Sequence, residues 1–162
     1  MPDTPRLTKR PFPPYRHVPG KTPHPRRDPG GYSRGLGECS PPSLSAISWR
    51  DSDEYLFGID LFNHRYWWEC HEILESLWHA AGHRSTAGQC LQAIIQCAVA
   101  HLKTETDNVV GARELLARAE GHIAEAGATS LGLDLRDMLH QTHAYVHRRQ
   151  DEPARLVPDF SL

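Results

Sequence analysis

Residues 66–81, YWWECHEILESLWHAA, repeat their apolar side chains with the period of an α-helix, about 3.6 residues. One face of the helical wheel carries the three tryptophans with the leucines, isoleucine and cysteine of the stretch. The opposite face is polar and includes Glu69, Ser76 and His79. Gly82 follows directly, and glycine is common just beyond a helix end. The stretch therefore predicts an amphipathic helix that packs against neighbouring helices.

Helical periodicity continues on both sides of this stretch, from Asp51 to about Arg149. The predicted helices span residues 51–63, 66–81, 85–105, 108–126 and 133–149. No stretch of four or more residues alternates as a strand would. Short connections make neighbouring helices antiparallel. The sequence thus predicts an all-α protein, a single helical bundle of about five helices in one domain at residues 51–150.

The two ends of the chain have a different composition. Residues 1–50 hold 11 of the 13 prolines and nine Lys/Arg against three Asp/Glu, a net charge of +6, whereas the remainder carries −8. Proline lacks a backbone donor and disfavours helix in its predecessor, so this segment predicts a disordered tail. Residues 151–162, with Pro153 and Pro158, are predicted to form a loose C-terminal tail.

The charge balance and composition exclude several classes of protein. The formal net charge is −2, and arginines scattered among prolines do not make a folded binding face, so nucleic acid is not expected as a partner. A solvating extension is favoured over a basic arm for RNA or an acidic protein. No run of about 20 apolar residues exists, so no membrane association is expected. The four cysteines form no Cys-x-x-Cys pair and no signal peptide is apparent, which predicts a reduced, cytoplasmic protein.

Polar side chains interrupt the apolar faces of two predicted helices. His71 and Glu75 lie one turn apart inside the tryptophan stripe of the second helix. Gln92 and Gln96 lie one turn apart on the third helix, which is otherwise apolar nearly all round. If these faces meet, the amides reach the imidazole and the carboxylate. We therefore expect a buried cluster of these four residues.

Two interpretations of this cluster stay open. Burying such groups without partners would cost about 1 to 3 kcal/mol each, so a hydrogen-bond network that fixes helix register is one interpretation. The other is a site for a metal or for acid/base chemistry, because His and Glu at i and i+4 can bind one ion. A metal needs a third ligand. Glu72 lies at the edge of the site, and Gln92 or Gln96 offers only a neutral oxygen.

Three segments resemble ordered motifs of domain-of-unknown-function family 309, a family of small helical proteins. They are FNHRYWWECHEILESLW at 62–78, LQAIIQCA at 91–98 and NVVGAR at 108–113. The family hallmark, His-x-x-x-Glu-x-x-Trp or Tyr, is similar to His71, Glu75 and Trp78 here, and Asn63 and Glu72 also fit the pattern. The resemblance covers about residues 55 to 120. It implies an all-helical domain and a metal-binding role for His71 and Glu75, but no established reaction.

These observations lead to one functional hypothesis and one alternative. In the first, His71 and Glu75 hold a divalent metal of unspecified identity or act as an acid/base pair, and Glu72 and Glu75 are the catalytic carboxylates. The supporting residues are Asn63, Trp78, Gln92 and Gln96. The expected reaction is metal-dependent hydrolysis of a small-molecule substrate. In the alternative, the protein is a non-enzymatic helical interaction module, and the His/Glu/Gln cluster is structural. An exposed apolar strip on the first or fifth helix would favour a homo-oligomer.

Overall fold

The computed structural model describes residues 4–37 and 40–162. It contains a 3-10 turn at Trp49–Asp51, five α-helices and one two-stranded antiparallel hairpin. The elements are α1 (Asp53–Asn63), α2 (Trp67–Ala81), α3 (Thr86–Glu105), α4 (Val109–Ala126), β1 (Thr129–Ser130), β2 (Leu133–Asp134) and α5 (Leu135–Val146). The predicted all-α class with about five helices is confirmed.

The helices begin and end where local side-chain chemistry favours it. Four helices begin after a residue whose side chain accepts an N–H of the first turn: Ser52, Ser85, Asn108 and Asp134. Gly82 and Gly127 follow α2 and α4 at positive φ, which glycine adopts without strain. The fifth helix begins later than predicted, because the hairpin pairs Thr129 with Asp134 in the residues before it.

Helix α3 is the centre of the bundle. It packs against α2, α4 and α5, and α1 packs against α2. A helix with neighbours on most sides must be apolar nearly all round, as the sequence of α3 is. Helices α1 and α2 are in close contact at Gly58, where an added Cβ would lie 2.6 Å from Leu74 Cδ2. None of the helices in the described residues is long and apolar enough to cross a bilayer.

The described part of the proline-rich N-terminal region packs on the bundle, which differs from the disordered tail predicted for residues 1–50. We call residues 4–37 the strap. The backbone N–H groups of Leu7 and Thr8 donate to the Asp60 carboxylate at 2.7 and 2.9 Å, and the Thr8 hydroxyl donates at 2.7 Å. Asp60 is 1% exposed. Residues 1–3 and 38–39 of that prediction lie outside the described residues.

Side chains of the strap and of residues 40–50 complete the core of the bundle. Val18, Leu44 and Trp49 are buried in it. The Arg16 guanidinium contacts the Glu105 carboxylate through two nitrogens, at 2.8 and 3.2 Å. Such contacts join residues far apart in the sequence, so local composition does not reveal them. Proline also limits the conformations of the unfolded chain, which lowers the entropy cost of ordering the strap.

The C-terminal residues are also anchored, which differs from the loose tail predicted at residues 151–162. Ala154 and Leu156 are buried. The Asn63 side chain exchanges two hydrogen bonds with the backbone of Leu156, both 2.8 Å long. The Ala154 N–H donates to His101 Nε2 at 3.3 Å. The segment therefore closes one side of the bundle in an extended conformation.

Candidate metal site

Helix α2 brings one imidazole and two carboxylates together. His71 Nε2 lies 3.4 Å from Glu75 Oε2, one turn further along the helix, and His71 Nδ1 lies 3.6 Å from Glu72 Oε1. One ligand atom from each of these three residues lies within 4.8 Å of the other two. We call His71, Glu72 and Glu75 the triad. Its donors, one nitrogen and two carboxylate groups, are those that bind divalent transition metals.

The triad is accessible to solvent on one side. The side chains of His71, Glu72 and Glu75 are 27%, 25% and 44% exposed. Trp68 flanks the His71 ring edge-on, with 6.4 Å between ring centroids. A cavity of about 210 Å³ adjoins His71, and Lys103 of α3 contributes to its wall. This exposure differs from the buried cluster predicted from the helical wheel.

Glu72 contacts two different partners through its two oxygens. Oε1 faces His71, while Oε2 lies 3.1 Å from Arg26 Nη2 of the strap. A cation held by the triad would therefore draw on a carboxylate that already neutralises an arginine. The strap and the triad are electrostatically coupled through this one residue.

The two glutamines of α3 do not join the triad. Gln96 Nε2 donates to Gln92 Oε1 at 3.0 Å, and no hydrogen bond among the described residues joins either amide to His71 or Glu75. Gln96 Oε1 is buried and has no hydrogen-bond partner there. Amides one turn apart on a helix can satisfy each other, which the wheel angles alone do not reveal. The expected cluster of four residues therefore separates into the triad and a glutamine pair.

The remaining supporting residues lie at the end of α1 and near the end of α2. Trp78 stacks on His83, with ring centroids 3.8 Å apart, and its Nε1 is buried without a hydrogen-bond partner in the described part of the chain. Asn63 uses its amide to hold Leu156, as described above. Among the described residues neither side chain contacts the triad through a hydrogen bond or a ring contact, so both act on the shape of the bundle.

Glu69 is a buried acid that the helical wheel placed on the solvent face. It is 5% exposed, and its Oε1 accepts the His17 N–H at 2.7 Å and the Tyr32 hydroxyl at 3.0 Å. Burial raises the pKa of Glu69. The wheel placement is wrong because the strap covers this face of α2. The available signal was the set of apolar residues in the strap, including Val18, which a fully solvated tail would not need.

The described cysteines offer no nucleophile. Cys70, Cys90 and Cys97 are free thiols and fully buried. Burial raises the pKa of Cys90 and Cys97 to about 12, so both thiols are protonated at neutral pH. The chemistry of this region therefore rests on imidazole and carboxylate groups.

Comparison with known families places this geometry in context. Residues 55–115 match the family model described as Domain of unknown function (DUF309). This part of the chain is similar to that family. The match begins inside α1, contains the whole triad and ends in α4. The resemblance noted from the sequence is thus confirmed, and the DUF309 description assigns no reaction. A search of curated proteins found no match.

Proposed function

We propose that this protein binds a divalent transition cation through His71, Glu72 and Glu75. One observation carries the proposal: ligand atoms from all three side chains lie within 4.8 Å of one another on one rigid helix. Glu72 supplies the third ligand that the sequence left open. A site of three protein ligands leaves at least one coordination position for water or substrate, the arrangement typical of catalytic metal sites.

The distance between His71 and Glu75 fits such an ion, and Glu72 lies close enough to join them. Ligands bound at about 2.0–2.2 Å in a tetrahedral site lie roughly 3.3–3.6 Å apart. His71 Nε2 lies 3.4 Å from Glu75 Oε2, which matches this spacing. The 3.6 Å contact with Glu72 is made by the other ring nitrogen, Nδ1, which cannot bind the same ion, so Glu72 has to rotate toward Nε2 to complete the site. All three side chains are partly exposed, so small rotations can bring their donor atoms to one centre. Imidazole favours zinc, iron or copper over magnesium and calcium, which prefer oxygen ligands alone.

Metal-dependent hydrolysis is the reaction that we propose for this site. A bound divalent cation supplies Lewis-acid polarisation of a carbonyl or phosphoryl oxygen and lowers the pKa of water. Glu75, the most exposed of the three side chains, is the residue available to accept a proton from water. Glu72 would balance part of the positive charge of the bound cation. Trp68 limits the access of solvent to one side of the His71 ring. The cavity beside His71 offers room for a small substrate, and Lys103 can pair with an anionic group there.

A purely structural role for the triad, as in the interaction-module alternative, receives less support. A cluster that fixes helix register should be sealed and fully hydrogen-bonded. The Glu75 side chain is 44% exposed, and a partly exposed ion pair contributes at most about 1 kcal/mol to stability. Stabilisation of the fold is therefore a weak explanation for the proximity of these three side chains.

Titration calorimetry of the full chain with Zn²⁺ and with Mn²⁺ tests cation binding. We expect one ion per chain, with binding weakened more than about tenfold in H71Q and in E75Q. The matched control is E120Q, which removes a carboxylate that also contacts a histidine, His143 at 3.0 Å, on another face. The control should bind as the wild type does. Absence of stoichiometric binding, or equal loss in all variants, would contradict the proposal.

Hydrolysis needs a separate assay. Turnover of p-nitrophenyl acetate and of bis(p-nitrophenyl) phosphate is measured with added cation, with chelator and in E75Q. We expect turnover that requires the cation and is lost in the variant. Turnover that does not depend on the cation, or none in any condition, would remove hydrolysis from the proposal and leave cation binding to its own test.

A further inference from the structure

A second cavity lies between the strap and the helices α1 and α2. Its volume is about 280 Å³, and we call it the Glu69 cavity. Phe57, Leu61 and Trp68 form an apolar wall, while Glu69 and Arg10 contribute polar groups of opposite charge. Ligand pockets usually measure about 300–1,000 Å³, so this volume is suited to a metabolite of about a dozen non-hydrogen atoms.

Glu69 leaves one carboxylate oxygen without a donor. Its Oε1 accepts two hydrogen bonds from the strap, but Oε2 is buried and has no hydrogen-bond partner among the described residues. An unpaired buried carboxylate oxygen destabilises the protein, because it has lost its hydrogen bonds to water and forms none within the protein. Glu69 lines the cavity, so a rotation of its carboxyl group would turn Oε2 toward a molecule bound there, which can then supply the missing donor. A protonated amine does so and also balances the charge.

Arginine side chains contribute the opposite charge to the same cavity. Arg10 lies over the Phe57 ring at 4.7 Å and has one loose ion pair, 3.7 Å from Asp53, with its side chain 45% exposed. Its guanidinium has five N–H donors, so it can also bind a carboxylate. Arg26 also lines the cavity, where it is paired with Glu72. A ligand with an amine alone would leave Arg10 without a close anionic partner, whereas a ligand that also carries an anion would supply one.

We infer that the Glu69 cavity binds a small amphoteric molecule, an α-amino acid with an apolar side chain. Its ammonium group pairs with Glu69, its carboxylate with Arg10, and its side chain packs on Phe57 and Trp68. The inference does not rest on the proposed cation site, although Glu72 lines this cavity as well as belonging to the triad. The amino acid is held by charge pairing at both ends and by apolar contact between them.

The test is a titration of the full chain, followed by ¹H–¹⁵N NMR in the presence of chelator. The probes are phenylalanine, phenethylamine and 3-phenylpropionate, which share a ring and differ in their charged groups. We expect phenylalanine to bind about tenfold more tightly than either of the others and to shift the indole signal of Trp68. No binding of phenylalanine, or equal affinity for 3-phenylpropionate, would overturn the inference. Because chelator is present, the result does not depend on whether the triad binds a cation.

Two variants examine the cavity in different ways. E69Q removes the charge and keeps an acceptor for His17 and Tyr32, and we expect phenylalanine affinity to fall about tenfold. S76L fills the cavity from α2, where Ser76 lines it, and should abolish binding even if E69Q folds poorly. The control, A80L, adds the same side chain one turn further along α2 and outside the lining. Binding that persists in S76L, or that A80L abolishes equally, would contradict the assignment.

Discussion

His101 is the most deeply buried titratable base in the described residues. Its ring stacks on Trp67 at 5.1 Å and meets Tyr145 edge-on, and Nε2 accepts the Ala154 N–H. Burial lowers the pKa of His101 to about 3, so the ring is neutral in the folded protein. In the unfolded chain its pKa returns to about 6.5. The stability that depends on neutral His101 is therefore complete above pH 6.5 and decreases as the pH falls toward 3.

The first prediction concerns this pH dependence. Between pH 6.5 and 4.5, His101 should reduce the free energy of unfolding by roughly 1 kcal/mol per pH unit. H101Q keeps a polar group near Ala154 but cannot titrate, so its stability should fall less steeply than that of the wild type. Urea unfolding at four pH values measures the difference. The exposed control H140Q should follow the wild-type slope, and an unchanged slope in H101Q would exclude this role.

Three residues show why the helical wheel predicted one side of α2 correctly and the other side wrongly. His71 and Glu75 were expected to meet because residues four apart share a helix face, and their contact is 3.4 Å. Glu69 was misplaced because the wheel reports direction and not what covers that direction. The strap reaches Glu69 from residues 52 positions earlier in the chain. Periodicity carries no information about such non-local contacts.

At the scale of elements, the helix boundaries could be predicted and the strap could not. Serine, asparagine and aspartate caps and the glycines after α2 and α4 act within a few residues, so their chemistry can be read locally. The hairpin before α5 depends on positive φ at Leu131 and Gly132. Of these two residues, only the glycine indicates such a turn in the sequence. The strap depends on carboxylates of α1 and α2. The proline content of the strap indicated correctly that it forms no helix. A proline-rich segment can nevertheless be ordered, as the strap is.

The second prediction tests how the strap is held. D60A leaves the N–H groups of Leu7 and Thr8 without their buried acceptor, and we expect it to cost about 3 kcal/mol or more. D53A removes an exposed carboxylate of the same helix, 3.7 Å from Arg10, and should cost less than about 1 kcal/mol. Urea unfolding gives both values. Limited proteolysis should cut the strap of D60A faster, and equal effects of the two variants would contradict the account.

The third prediction concerns the contact of α1 with α2. An added Cβ at Gly58 would lie 2.6 Å from Leu74 Cδ2, whereas nothing lies within 4 Å of one at Gly121 in α4. G58A should therefore destabilise the protein by about 1–3 kcal/mol through overpacking. G121A should stabilise it by about 0.5–1 kcal/mol, since alanine favours helix. Thermal and urea unfolding distinguish the signs, and stabilisation by both substitutions would exclude a tight contact.

At the scale of the whole molecule, the basic N-terminal region and the acidic bundle form ion pairs with each other. Four strap arginines pair with carboxylates of α1, α2 and α3: Arg6 with Asp60, Arg10 with Asp53, Arg16 with Glu105 and Arg26 with Glu72. The basic segment thus neutralises an acidic face of its own bundle. This favours the interpretation of residues 1–50 as an extension of the bundle over that of an arm for RNA.

The fourth prediction follows from the carboxylate that the strap and the triad share. Removing the positive charge of Arg26 in R26Q leaves Glu72 more available to a cation, so Zn²⁺ affinity should rise about two- to fivefold. R34Q is a control for loss of an arginine from the strap at an exposed position. Calorimetry measures both. Weaker binding in R26Q would mean that the arginine positions Glu72 and does not compete with the ion.

The central claim is that His71, Glu72 and Glu75 hold one divalent cation. The most direct measurement is an anomalous difference map at the zinc absorption edge, from crystals of the full chain grown with Zn²⁺. We predict one peak at bonding distance, about 2.0–2.2 Å, from a His71 nitrogen and from carboxylate oxygens of Glu72 and Glu75. A map with no peak at the triad, or with zinc only at other histidines, would contradict the claim.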